Sequence, residues 1–383
     1  MMFNRLLKER LAYAAKKFPV VTLTGPRQSG KTTLVKLLFP DKPYVNLEDV
    51  DHRFFAKDDP RSFLKNFPYG AIIDEAQHVP DLFSYIQTRV DQNQVMGEFI
   101  LTGSQNILLS EKISQTLAGR TAVLQLLPCT TNELNWNEED PYHLFFKGFY
   151  PAVHDRDIDP AIYYRSYVNT YVEKDVRSII NVKDLSKFHL FLQLCAGRIG
   201  QLFNASAIGS ECGINHVTVK SWVSILEASY VLFLLRPHHQ NFNKRLTKQP
   251  KLYFYDTGLA AYLLGIESSE ILSRHFVRGP IFENYVASEL IKHRFNQGME
   301  SNIYFWRDHH GREIDFIIDK GSRLDAIEVK SSATLTKSFF EGLNYWNSLS
   351  PDSNKYLIYG GEMQQDRSQA KVLPWKTVHQ VFD

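Results

Sequence analysis

Cysteine is scarce: Cys129, Cys195 and Cys212 are the only three in 383 residues. They are odd in number, far apart and without metal-ligand spacing, which excludes a disulfide framework and a cysteine-built zinc site. Such sparing use fits buried or incidental thiols in a reducing compartment. Long apolar runs are missing too. No stretch reaches the ~20 apolar residues that span a bilayer, so no membrane partner is expected. The opening segment 1–17 is broken by Arg5, Lys8, Glu9 and Arg10. It reads as a short basic amphipathic helix rather than a signal peptide, and a cytoplasmic location is the expectation. Nor does one sign of charge dominate. With 44 basic and 42 acidic residues the net charge is only +2, so any nucleic-acid surface has to be a local patch. Internal repeats and low-complexity linkers are also lacking.

What is present is a globular composition, 44% hydrophobic and 22% charged, on a chain long enough for two or three domains. In the first half, strand-like runs (20–24, 44–47, 71–74, 98–103 and 122–127) alternate with helical stretches such as 32–39 and 82–93. That alternation predicts a doubly wound α/β domain with a mainly parallel sheet over 1–135. Beyond residue 133 the pattern turns helical, over 163–179 and 187–196, and a helix–turn–helix follows between Ala205 and Tyr230; this segment is taken as 136–275. The remainder, 276–383, reads as a smaller α/β unit.

The sharpest motif is Gly25-Pro26-Arg27-Gln28-Ser29-Gly30-Lys31-Thr32, followed by Thr33. It fits G-x-x-x-x-G-K-[ST] without deviation, between an apolar strand and a helix. The glycines let the backbone wrap closely around phosphate, and the helix N-terminus supplies positive potential. Lys31 is placed to reach the β- and γ-phosphates of ATP and Thr32 to hold Mg²⁺. Ala71-Ile72-Ile73-Asp74-Glu75 adds an apolar strand ending in two carboxylates. Asp74 suits the metal, and Glu75 suits a general base that orients water. That pair favours water over a small-molecule acceptor as the nucleophile. The next strand ends in Ser104 and Gln105, which either sense the γ-phosphate or are plain turn residues. Arg120, before the last strand, is either a finger towards a neighbour's ATP, which requires a homo-oligomer, or a helix C-terminal arginine.

In the helix–turn–helix, Gly213 marks the turn, and Val219, Trp222 and Leu226 recur at helical spacing. Runs 231–235 and 251–255 would form a wing, and His238, His239, Lys244, Arg245 and Lys248 lie between them. His216, Thr218 and Lys220 would face a DNA groove; contact with a protein partner is the other reading.

At the C-terminal end, Glu313–Ile318 and Arg323–Lys330 read as a hairpin about a turn at 319–322. Alternation puts Glu328 and Lys330 on one face, and the fold-back brings Asp315 opposite Glu328. Two carboxylates and a lysine so arranged suit a divalent metal and a water aimed at phosphate. Glu283, opening a helix upstream, would be a further ligand. The alternative is a half-exposed hairpin with scattered charges, but Glu328 and Lys330 interrupt an apolar strand, where unpaired charges cost several kcal/mol.

The run GPRQSGKTTL, NLED, IIDEAQ, LTGSQN and LAGR, continued by Gly148-Phe149-Tyr150-Pro151 and residues 171–176, resembles a large prokaryotic family of uncharacterised ATPases in the AAA+ superfamily. The resemblance spans essentially the whole chain; Phe149 departs from the family's usual second glycine. It implies an ATPase module, a winged-helix-like middle and a nuclease-like C-terminal domain. Glu283, Asp315, Glu328 and Lys330 resemble the PD-(D/E)xK nuclease core, although Ile314 stands where proline is expected. The resemblance implies no settled physiological role; the three modules on one chain lead to the expectation of ATP hydrolysis with Mg²⁺, a second divalent metal at the C-terminal site, and either DNA cleavage or an ATP-driven switch that only binds protein or nucleic acid.

Overall fold

The structure is a computed structural model, and it describes residues 3–104, 116–172, 185–238 and 248–383. Gln105, Asn106, residues 173–176 and the basic residues His239, Lys244 and Arg245 lie outside these.

The chain forms two compact units. One comprises Met1–Cys129 with Ala228–Tyr230 and Phe295–Met299; the other comprises the rest. The expected segments 136–275 and 276–383 thus pack into one unit.

In the first unit five strands form one sheet: β1 (Val20–Thr24), β2 (Tyr44–Asn46), β3 (Ala71–Asp74), β4 (Phe99–Gly103) and β5 (Thr121–Gln125). Their order is β2-β3-β4-β1-β5, and every pairing is parallel. Alternate residues of the central strands serve opposite faces. Val20, Ile73, Phe99 and Leu101 join one buried cluster with Phe83 and Ile86 of α3 (Leu82–Asn93). Val21, Leu23, Ile72 and Ile100 join another with Leu11 of α1 (Lys8–Ala15) and Leu34 of α2 (Lys31–Leu38). Helices on both faces explain why these strands read as unbroken apolar runs.

The second unit contains the helix pair α4 (Ala205–Cys212) and α5 (His216–Ala228), turned by Gly213 in the left-handed region at φ 63°. An antiparallel hairpin follows, β6 (Leu232–Leu235) with β7 (Lys251–Phe254). Of the predicted helix over 163–179, the described part is α-helical to Tyr167, from Pro160 on, and wound as a wider π-turn over Val168–Val172, while 173–179 lies outside the described residues. A long helix, α6 (Arg278–Asn296), precedes a six-stranded mixed sheet. Its strands are β8 (Ile303–Arg307), β9 (Glu313–Asp319), β10 (Leu324–Lys330), β11 (Lys355–Tyr359), β12 (Gln365–Asp366) and β13 (Lys371–Pro374), in the order β12-β13-β11-β10-β9-β8. Leu343 and Trp346 of α7 (Glu341–Leu349) pack on Ala326 and Leu357 of this sheet. The expected hairpin is β9–β10, antiparallel with paired residues running from Leu324 opposite Asp319 to Ile327 opposite Phe316; beyond that pair the Val329 amide donates to the Asp315 side chain.

All three cysteines are free and buried. Among the described residues no helix is long and apolar enough to cross a membrane.

Candidate nucleotide site and C-terminal acidic site

The P-loop leaves the C-terminal end of β1. Gly25 at φ 148° and Gly30 at φ 94° take backbone conformations that side chains disfavour. A Cβ on Gly25 would stand 2.1 Å from the Leu126 carbonyl oxygen, so no larger residue fits. Gly30 caps α2, whose first amides have no partner within the helix and face the loop. Lys31 is buried, and its ammonium donates to the carbonyls of Gly25 at 3.0 Å and Pro26 at 2.8 Å. Pro26 and Ser29 are buried and Gln28 and Thr33 exposed, while Arg27 pairs with Glu48 at 3.3 Å.

Sheet order brings the motifs together. Because β4 lies between β1 and β3, the end of β4 falls between the P-loop and the two carboxylates. Asp74 Oδ2 accepts from the Thr32 and Tyr44 hydroxyls, each at 2.8 Å. Its other oxygen accepts from the Thr102 hydroxyl and, at 3.1 Å, from the Glu75 amide. Burial, and then Asp74 itself, push the Tyr44 phenol well above its ordinary range, so it stays a donor. Glu75 sits in the left-handed region, φ 52° and ψ 45°. Its Oε2 accepts from Ser104 Oγ at 3.1 Å and from Gln77 Nε2, which also reaches Ser104 Oγ at 3.4 Å. Ser104 therefore braces Glu75 and does not stand alone at the loop.

Arg120 lies elsewhere. Its carbonyl receives the amide of Val20, at the start of β1, so it occupies the sheet edge opposite the P-loop. Its guanidinium pairs with Asp91 of α3 at 2.5 Å and 2.9 Å. A role on the chain's own nucleotide is excluded by this placement.

Sequence reasoning missed Tyr44, Gln77, Thr102 and Arg5. Arg5 is buried and donates at 2.6 Å to the carbonyls of Ser29 in the P-loop and of Leu127. Replacing it with Met is expected to leave two loop carbonyls unsatisfied, at about 1–3 kcal/mol each. Urea unfolding should register a loss of about 2–6 kcal/mol, with weaker ATP binding; unchanged stability would show that Arg5 is dispensable to the loop.

The acidic site belongs to the second unit. Asp315 Oδ2 accepts the Val329 amide at 2.8 Å, and Glu328 Oε1 takes Lys330 Nζ at 2.6 Å. Glu328 Oε2 is buried with no hydrogen-bond partner. Glu283, from the first turns of α6, accepts from Lys251 Nζ at 3.1 Å and from the Tyr253 hydroxyl at 2.5 Å. Lys251 also contacts Glu313, whose other oxygen takes Arg307 at 3.2 Å. Burial first, then the Asp315 carboxylate, push the Glu328 carboxyl up to about 8. Burial likewise raises Glu283. For Lys330 burial acts downwards, but Asp315 and Glu328 outweigh it and raise the ammonium. The expected trio Glu283, Asp315 and Glu328 does not stand as a metal cage: among the described residues no group of three or more His, Cys, Asp or Glu has metal-holding geometry. Glu283 turns instead to Lys251 and Tyr253, residues of β7.

In the helix pair, His216 and Lys220 are exposed, but the Thr218 hydroxyl donates to Asn215 at 3.0 Å and serves the helix cap. His238 is buried and pairs with Asp319 at 3.2 Å.

Residues 17–135 match the family model described as "AAA domain". Residues 138–270 and 278–378 match models described as "Domain of unknown function (DUF8612)" and "Domain of unknown function (DUF4143)". With its parallel sheet and P-loop, the N-terminal part thus resembles the ATP-binding domains of the P-loop ATPase class. The chain is similar to the uncharacterised protein Rv2008c of Mycobacterium tuberculosis, 29% identical over 330 residues, which cover 85% of this chain and 73% of that one. It is also similar to the uncharacterised protein MJ1544 of Methanocaldococcus jannaschii, 23% identical over 334 residues, covering 78% and 72%. Among solved structures it is similar to a Walker-type ATPase of Pyrococcus abyssi, 13% identical with TM-score 0.42, covering 68% of this chain and 96% of that one.

Proposed function

We propose that the first unit hydrolyses Mg-ATP and that the ATP state controls the acidic site of the second unit, which acts on the phosphodiester backbone of DNA. The observation that carries the ATPase half is the convergence of Thr32 and Asp74 at 2.8 Å beside a braced Glu75. Hydroxyl and carboxylate oxygens are a donor set that suits Mg²⁺. When bound, Mg²⁺ would offset charge on the β- and γ-phosphates. Thr32 and Asp74 would hold it, Lys31 and the amides of Gly25–Thr33 would cradle the phosphates, and Glu75 would accept a proton from the attacking water. The bond from the γ-phosphorus to the bridging oxygen breaks, releasing ADP and phosphate.

The nuclease half is supported by the hairpin end, where Asp315 takes the Val329 amide and Glu328, one residue before Val329, takes Lys330. Plasmid or single-stranded DNA incubated with ATP and Mg²⁺ or Mn²⁺ should be cut by wild type and left intact by Asp315→Ala. No cutting by wild type, or equal cutting by the variant, would remove this half. The contact of Lys251 with Glu283 favours a second reading: an ATP-driven switch that binds protein or nucleic acid without cleaving. Gel shifts and pull-downs that respond to ATP, without cleavage, would select it.

A further inference from the structure

The acidic site carries its own cation. Lys251 is only 3% exposed in its side chain, and its ammonium bridges Glu283 and Glu313. The Tyr253 hydroxyl, two residues on and on the same face of β7, holds the same oxygen of Glu283 at 2.5 Å. A hairpin strand thus inserts a charge and a hydrogen-bond donor where a divalent ion would need an anionic oxygen. Meanwhile Glu328 Oε2 remains buried and unpartnered. A buried acceptor without a donor is unusual, and this one faces the start of α7, where a Cβ on Gly342 would lie 3.1 Å away. The cluster therefore offers one free buried ligand oxygen, at Glu328, while a second ligand, Glu283, is satisfied by the chain itself.

We infer that Lys251 is a tethered counter-cation that takes the place of a divalent metal at Glu283, so that the acidic site as folded does not fit one. This inference rests on the proposed likeness of the cluster to a metal-dependent nuclease site. It deepens that reading by giving the helix–turn–helix segment a role: the hairpin following it supplies the cation. A metal and an ammonium cannot share one carboxylate oxygen at contact distance without strong repulsion, whereas either alone offsets its charge.

The test uses the full chain without nucleotide and follows free Mn²⁺ by electron paramagnetic resonance. Lys251→Met, which keeps the length and removes the charge, should bind Mn²⁺ about tenfold or more tightly than wild type. The gain should vanish in Lys251→Met/Glu283→Gln, and Lys251→Arg should bind as weakly as wild type. Mn²⁺ should also raise the melting temperature of Lys251→Met and leave that of wild type unmoved, because metal replaces the missing ammonium. Three results would overturn the inference: no tighter binding by Lys251→Met, a gain that survives Glu283→Gln, or a Lys251→Met chain that stays unfolded with Mn²⁺ present. The outcome is separable from the cleavage assay. A chain that gains metal but never cuts DNA keeps the counter-cation and loses the nuclease; a chain that cuts DNA through Asp315 while Lys251→Met gains nothing does the reverse.

Discussion

Glu75→Gln is expected to bind ATP as wild type does and to release phosphate ~10²–10⁴-fold more slowly. The substitution keeps the side chain's shape and removes only its capacity to accept a proton. Its placement makes the test clean. Glu75 follows β3 directly, and its left-handed backbone, at φ 52°, swings the carboxylate away from Asp74 towards Ser104 and Gln77. A glutamine oxygen can still accept from Ser104 Oγ, and Gln77 can flip its amide to meet the new donor. The brace therefore survives while the base is lost. Phosphate release and nucleotide affinity measured on the same preparation separate the two effects. Turnover equal to wild type would assign the base to another group; a loss of affinity matching the loss of rate would make Glu75 a binding residue instead.

The parts of this site legible in the sequence were those written in consecutive residues. The P-loop, the β3 carboxylates and the hairpin each carry a local pattern, with strand period, turn and charge within one short window. The alternation of strand-like and helical runs also placed β1 and β3 in a mainly parallel sheet. What stayed hidden depends on the lateral order of the strands. Tyr44 and Thr102 reach Asp74 only because β2 and β4 flank β3, and no local pattern encodes which strands are neighbours. Arg5 braces Ser29 from 24 residues away in sequence, through a backbone carbonyl that leaves no trace in residue type. Lys251 lay in the segment read as a wing and was not associated with Glu283, 32 residues further on. The same limit applies to Arg120, because the end of the sheet it occupies is fixed by the β1–β5 pairing.

Lys31→Ala should abolish measurable turnover, a fall of ~10³-fold or more, through loss of the charge that meets the developing negative charge on the phosphates. The side chain has a second task that the experiment must separate from the first. Its ammonium is shared between the Gly25 and Pro26 carbonyls, at 3.0 Å and 2.8 Å, within the loop itself. Removing it withdraws a donor from both, and an unsatisfied buried carbonyl costs about 1–3 kcal/mol. A loop that merely lost its brace would bind every nucleotide more weakly, whatever its phosphate count. A lysine that reaches the γ-phosphate makes a different prediction: affinity for ATP falls much more than affinity for ADP. Calorimetric titration of both nucleotides into Lys31→Ala and wild type reads this difference directly, with Lys31→Met as a variant that fills the space. An unequal loss, with thermal stability within a few degrees of wild type, assigns Lys31 to the phosphates. An equal loss would reduce it to a brace and leave the charge at the γ-phosphate to the helix N-terminus and Mg²⁺ alone.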